Sequence, residues 1–229
     1  MLALIQARLS STRLPKKVLL RIGTKTILER CHQRVSLAQG VSKIVVSTSD
    51  EDDDKQIVNY CKDTNWHVST GSLNDVGLRL LQIAKTEKKS SFVRISADSP
   101  FIDPKIIDTA ISLSKSKKFD LVTNVFPRSF PKGQSVEIIR TEALDLICKN
   151  NRNKEQKEHM TKYFYENFEK FKIISFESGE DFTNSNQSID DKPDLTWANT
   201  IAEKIDDCKS TWQEIESISY KNKFSGSVE

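Results

Sequence analysis

The sequence predicts an α/β fold, a mostly parallel sheet with helices on both faces. Two observations carry that prediction. Strand-like and helix-like segments alternate at about 20-residue spacing through the first two-thirds of the chain. The chain is also 229 residues long, enough for one large domain or one domain with an elaboration.

The elements follow in order. Residues 2–6 form a short apolar run. Residues 26–38 place Ile27, Leu28, Cys31, Val35 and Ala38 on one helical stripe. "KIVVSTS" (43–49) is β-branched and reads as a strand. Residues 50–64 begin acidic and become apolar at Ile57, Val58 and Cys61, which suits a helix N-terminus. A strand at 66–70, a helix at 74–87 and a strand at 91–96 ("SFVRIS") follow. The helix at 103–116 opens with Asp103 then Pro104, a cap and first-turn pair. Residues 120–125 are strand-like.

Beyond residue 125 the rhythm changes. "FPRSFPKGQ" (126–134) reads as a loop, 135–140 as a strand, 141–150 and 155–168 as helices, and 171–177 as a strand. Residues 178–188 are polar and loop-like. Helices are expected at 193–206 and 209–219, with a frayed tail from 221.

Composition excludes several classes. Apolar residues make up 37% and the net charge is +3, the balance of a globular chain with no call for a nucleic-acid partner. No segment approaches the roughly 20 apolar residues of a membrane span, and no signal-peptide pattern opens the chain. Cys31, Cys61, Cys148 and Cys208 form no C-x-x-C pair. Free thiols in a reducing compartment are therefore expected, and a cytoplasmic location with them. His32 and His67 are expected in structural roles, and the tryptophans in packing.

Ligands of such sheets bind beyond the carboxyl ends of the strands, so the loops there are the places to look for chemistry. "QARLSSTRLPKK" (6–17) follows the first strand. Within residues 1–40, eight Lys and Arg residues face Glu29 alone, a field that suits an anionic small ligand. Arg8, Arg13 and Lys17 have the donors to close around a polyphosphate, and Ser10 and Ser11 offer hydroxyls and turn N–H groups. A solvated basic loop is the competing reading. The loop matches neither the Walker pattern nor G-x-G-x-x-G.

In "RISADSPFIDP" (94–104) Asp98 ends a strand and has no capping task, because Asp103 fills it. A hard carboxylate facing a basic loop makes sense with Mg²⁺ between it and phosphate oxygens. In "SIDDKPDL" (188–195) Asp190 is either a helix cap or a second carboxylate for the same metal.

These segments, with "FPKGQSVEI" and "EHMTKYFYENFEKFKI", resemble in order and spacing the cytidylyltransferases of surface-polysaccharide pathways. The nearest branch is the spore-coat-polysaccharide-F-like one, related to the enzymes that make CMP-activated octulosonic and sialic-type acids. The likeness runs from residue 2 to about 206. It implies a Rossmann-like nucleotide-diphospho-sugar transferase fold, as one domain over 1–229 with an acceptor and dimerisation elaboration at about 126–170. It implies transfer of CMP from CTP to a small anionic acceptor, a sugar acid or a phosphorylated or phosphonate compound, with loss of pyrophosphate. It also implies Mg²⁺ on Asp98 and Asp190, phosphate contacts from Arg13 and Lys17 with Arg8 assisting, and a homodimer.

Gly71, Ser72, Asp75 and Arg79 in "TGSLNDVGLRL" match the family's stretch beside the nucleoside. Glu137, Glu158 and His159 match positions near the acceptor, and Lys132 or Arg128 suits an acidic one. Four positions depart from the pattern. Lys16 replaces a glycine, Ser135 an Asp, Asn186 an Arg and Asp191 a Thr. A nucleotidyltransferase using another nucleoside triphosphate, or an inactive nucleotide-binding protein, are the alternatives.

Overall fold

The computed structural model describes the backbone of residues 1–225 and the side chains of residues 1–220. In chain order its first elements are β1 (Leu2–Gln6), the two-residue strands β2 (Arg21–Ile22) and β3 (Lys25–Thr26), α1 (Ile27–Ser36), β4 (Lys43–Ser49), α2 (Lys55–Asp63) and β5 (Val68–Gly71). Then come α3 (Val76–Thr86), β6 (Ser91–Ser96), α4 (Pro104–Ser116), β7 (Leu121–Thr123), β8 (Glu137–Arg140) and α5 (Thr141–Lys149). The last are α6 (Lys154–Glu158), α7 (Lys162–Glu166), β9 (Ile173–Ser175), α8 (Lys192–Ala202) and α9 (Trp212–Ser225).

The main sheet runs β5-β4-β1-β6-β8-β7-β9. β5, β4, β1 and β6 are parallel, as the alternating pattern predicts. β8 runs antiparallel to both β6 and β7. Successive side chains of β1 point to opposite faces, so its wholly apolar start feeds two cores. Ala3 and Ile5 pack with α1, α2 and α4, while Leu2 and Leu4 pack with α3 and α5.

A third, smaller core does the most for the site. It gathers Leu14 from the loop after β1, Phe101 from the loop after β6 and Ile189 from the segment before α8, under Ile201 of α8 and Ile215 of α9. Leu14, Phe101 and Ile189 each lie within three residues of a charged residue discussed below. Burying them fixes three distant loops against one another.

The helices start where their caps put them. Thr26 with Glu29 forms a capping box on α1, Asp103 caps α4, and Asp191 with Asp194 forms a box on α8. Two helical expectations change. Residues 155–168 do not form one helix but break into α6 and α7, so that Met160 and Phe164 enter the second core. The tail expected to fray at 221 continues as α9 to Ser225; residues 226–229 lie outside the described residues. Among the described residues no helix is long and apolar enough to cross a membrane, and the four cysteines are unpaired. His32 stacks on Trp66, with ring centroids 3.8 Å apart.

Candidate active site

The loop after β1 is held from below by a buried carboxylate. Asp54 accepts the Leu9 N–H at 2.7 Å and the Ser49 N–H and hydroxyl on its other oxygen. The acid-rich start of the 50–64 segment suggests helix-dipole pairing. Asp54 instead turns inward and makes no side-chain cap. Further along the loop, Lys16 takes the left-handed conformation, φ 58° and ψ 21°. The glycine-like backbone is therefore kept where the residue is not glycine.

The loop opens onto a pocket of ≈ 440 Å³ at the carboxyl ends of β1 and β6. Arg8, Ser10, Ser11, Arg13 and Lys17 line one side, and Asp98, Asp190, Glu158 and His159 line the other. Asp98 and Asp190 are 92 residues apart and meet because Ile189 N–H donates to the Asp98 carbonyl at 2.9 Å. The Lys17 ammonium sits between them. It donates to Asp98 Oδ2 at 2.8 Å, Asp190 Oδ1 at 2.9 Å and the Ile189 carbonyl at 2.9 Å. Arg13 reaches the same Asp190 oxygen at 3.1 Å.

Burial opposes the charge on Lys17, but the attraction and hydrogen bonds of Asp98 and Asp190 outweigh it and raise its pKa. Burial likewise opposes ionisation of Asp190. Hydrogen bonds and charge from Lys17 and Arg13 win again and hold its pKa below the usual carboxylate value.

Two carboxylates and a backbone carbonyl converging on one point are hard oxygen donors, the kind Mg²⁺ takes. Among the described residues no three His, Cys, Asp or Glu side chains form a metal cage. Mg²⁺ is commonly held by one or two carboxylates together with substrate phosphates.

The far end of the pocket is built differently. Arg8 Nη2 bridges to Glu158 Oε1 at 2.7 Å across the mouth, and this pairing keeps the Glu158 pKa low. The pocket wall there includes Gln6, Arg94 and Ser96. Arg94 donates to Gln6 Oε1 through Nε and Nη2, each at 3.2 Å, and to Glu137 Oε2 at 2.7 Å. Glu137, 1% exposed, does not line the pocket itself and reaches it through Arg94. The Tyr165 hydroxyl donates to its other oxygen, and burial followed by the Glu137 charge pushes the phenol pKa up.

The remaining sequence candidates lie elsewhere. Lys132 is exposed and outside the pocket wall. The segment around it is a clasp. Lys132 N–H donates to Ser185 O at 3.0 Å, Gln187 N–H donates to Lys132 O at 2.8 Å, and a Cβ on Gly133 (φ 89°) would sit 2.5 Å from the Gln187 carbonyl carbon. Gln134 ties in Phe101 O and the Asp103 N–H. Asp75 caps α3 and is clamped by Arg152 at 2.6 and 3.0 Å. Arg79 is buried. It donates to Ser47 Oγ and Ser72 O while its Nη2 has no partner, and burial pushes its pKa down to about 10. Gly71 packs against the Arg79 stem, where a Cβ would lie 3.0 Å from Cγ. Gly71, Ser72, Asp75 and Arg79 thus form a support beside the pocket and not its wall. Asn186, at the position of the absent Arg, donates to Asp194 at 2.9 Å.

The family model described as "Cytidylyltransferase" matches residues 2–218. The chain belongs to the cytidylyltransferase family. It is a nucleotidyltransferase by that membership. The solved structure of a cytidylyltransferase from Leptospira borgpetersenii is 30% identical and superposes with a TM-score of 0.91, covering 96% of this chain and 94% of that one. The spore coat polysaccharide biosynthesis protein SpsF of Bacillus subtilis is 28% identical, over 79% of this chain and 76% of its own. A CMP-2-keto-3-deoxy-manno-octonic acid synthetase, solved with CTP, shares the fold at 16% identity and a TM-score of 0.68, covering 89% of this chain and 99% of that one. The resemblance drawn from the motifs and the expected α/β nucleotidyltransferase fold both hold.

Sequence reasoning missed Arg94, Gln6, Ser96 and Asp54. A signal for Arg94 was present. It stands four residues before Asp98 on a strand, and period-two alternation puts Arg94, Ser96 and Asp98 on one face. Asp54 left no such signal among its acidic neighbours.

Proposed function

We propose that the chain is a Mg²⁺-dependent cytidylyltransferase. It would join CMP from CTP to a small anionic acceptor, a sugar acid or a phosphorylated or phosphonate compound, and release pyrophosphate. The observation that carries the reading is the convergence of Arg13, Lys17, Asp98 and Asp190, from three separate segments, on one pocket beyond the sheet.

The reaction is a displacement at the α-phosphorus. An acceptor oxygen attacks, a hydroxyl losing its proton to water and a phosphate or phosphonate oxygen attacking already ionised; the bond to the bridging oxygen breaks, and the pyrophosphate leaves with that electron pair. Such transfer needs positioning and charge stabilisation more than covalent help from the protein. Asp98 and Asp190 would hold Mg²⁺, which supplies charge neutralisation at the phosphates. Arg13, 65% exposed, and the long arm of Lys17 would meet the departing β- and γ-phosphates. The serine-rich loop offers N–H groups and hydroxyls to the same phosphates. Arg94, fixed by Glu137 and Gln6, would present its remaining N–H groups to the acceptor, with His159 beside it. Base selection would rest on the backbone of the loop after β1, braced by Asp54, and of the segment at Ser72, braced by Arg79.

The same reading includes a homodimer through residues 126–170, where Leu146 and Phe168 leave more than half their surface exposed. Melting curves with CTP, UTP, GTP and ATP, each with and without Mg²⁺, test the nucleotide. A ligand at about 100 times its Kd adds roughly 2.7 kcal/mol. Selective, Mg²⁺-enhanced stabilisation by CTP is expected. Equal stabilisation by all four would remove the cytidine assignment, and none would remove the nucleotide site. Pyrophosphate release across an acceptor panel then identifies the acceptor.

A further inference from the structure

Lys17 is expected on the phosphates, yet in this structure it is committed elsewhere. Its ammonium has three N–H groups and three oxygen partners, Asp98 Oδ2, Asp190 Oδ1 and the Ile189 carbonyl, all within 2.9 Å. These are two hard carboxylate oxygens and a backbone carbonyl, the donors a divalent cation would use at shorter range. Ammonium and metal ion therefore compete for the same oxygens. Both carry positive charge, so each also repels the other.

We propose that Lys17 is a built-in stand-in cation. It closes the metal position in the nucleotide-free protein and vacates it when a metal–nucleotide complex arrives. The protein then binds metal and nucleotide together as one ligand and takes up little free metal. Two features suit Lys17 to this exchange. Its stem is flexible and its charge compact, so it can swing from carboxylate to phosphate with one backbone position. That backbone is anchored, because the adjacent Val18 is 2% exposed in the main core and Lys16 is locked in its turn. Arg13 shares Asp190 at 3.1 Å but is mostly exposed, and it can follow the phosphates without unpacking anything. The exchange leaves no carboxylate uncompensated in either state.

The inference rests on the reading of the pocket as a metal–nucleotide site, and the test separates the two. Mn²⁺ is the probe, its free signal followed by electron paramagnetic resonance on the full chain, with and without CTP. Wild-type protein is expected to bind Mn²⁺ weakly alone and far more tightly with CTP. In Lys17→Met, nucleotide-free Mn²⁺ affinity should rise by at least about tenfold, as removal of a competing charge from a partly buried site predicts. The gain from CTP should shrink. Lys17→Arg keeps a cation there and should stay near wild type, while Lys17→Met/Asp98→Asn should lose the gained affinity. Lys17→Gln serves if the Met variant does not fold. Unchanged or weaker Mn²⁺ binding in both neutral variants overturns the proposal, as does tight nucleotide-independent binding by wild type. A gain in Lys17→Met with no CTP effect on any variant keeps the stand-in cation and sinks the nucleotide reading instead.

Discussion

The two ends of the pocket hold their charges in different ways. At the Lys17 end, charges from residues 13, 17, 98 and 190 meet over short, multiple bonds, and each lies close in sequence to an apolar residue of the third core. At the far end, Arg8 meets Glu158 through a single bridge at the mouth, with both side chains more than a third exposed, while Arg94 and Glu137 are paired below. The first end is a rigid charge circuit that one arm can leave. The second is a buried support with an ion pair above it that a ligand can open. The contrast matches the proposed division between catalytic charge and acceptor recognition, and substitutions can test whether the two ends are separable.

The largest effect is expected at the rigid end. Asp98→Asn removes one of the two carboxylates on Lys17 and should lower pyrophosphate release by at least about 10³-fold, while Lys17→Ala should lose roughly 10²–10³-fold. The melting temperature of Asp98→Asn should fall only modestly, because Asp190 still pairs with Lys17. Turnover retained in Asp98→Asn would break the assignment of this end to the reacting phosphates.

At the other end the expected loss is in stability. Arg94→Met leaves the Glu137 carboxylate buried without its cation. Breaking a buried pair costs about 3–5 kcal/mol, and the low end is expected because Tyr165 still donates to Glu137. Arg94→Met/Glu137→Gln should recover most of the loss. By comparison Arg8→Met, which breaks the half-exposed bridge, should cost less than about 1 kcal/mol. Urea melts of the three variants check the order. Equal losses for Arg94→Met and Arg8→Met would erase the distinction between support and mouth.

How much of this was legible follows the same division. The strand at 2–6 was readable as an apolar run and the strand at 43–49 by its β-branched residues, and the Asp103–Pro104 pair marks a helix start by its own chemistry. Lys17, Asp98 and Asp190 were readable because topology puts loops after strands at one edge. Arg94 sat inside a strand and was not singled out. Glu137 matched an acceptor motif, yet it works through Arg94, a relation that only the β6–β8 register reveals. Lys132 lay in a motif whose physical task is the Gly133–Gln187 clasp. The α6–α7 break was invisible because Met160 and Phe164, four apart, fit one helix as well as two.

Acid pH gives a finer probe of the rigid end. Asp190 has its pKa depressed in the folded state by Lys17 and Arg13, against the cost of burial. Its stabilising contribution is thus present above the unfolded carboxylate value and lost as pH falls through the lower folded one. The difference in melting temperature between wild type and Asp190→Asn should be full near neutrality and shrink below the ordinary carboxylate range. The raised Lys17 pKa adds the opposite limb. Its contribution is intact below the unfolded lysine value and disappears as pH rises through the higher folded one. A difference independent of acid pH would mean that Asp190 is not ion-paired in solution.

The smallest effect concerns Lys16, and it asks whether the loop is strained to hold its charges. A non-glycine residue in the left-handed region costs roughly 1–2 kcal/mol, and glycine returns part of that gain by loosening the unfolded chain, about 0.4–1 kcal/mol. Lys16→Gly should therefore raise stability by at most about 1.5 kcal/mol. The Lys16 bond to Gln56 on α2 is exposed and lowers that gain further. If Lys16 serves only to hold the turn, pyrophosphate release should change little. A turnover loss without a change in melting temperature would mean that Lys16 adds its own charge to the phosphate end, extending the rigid circuit by one member.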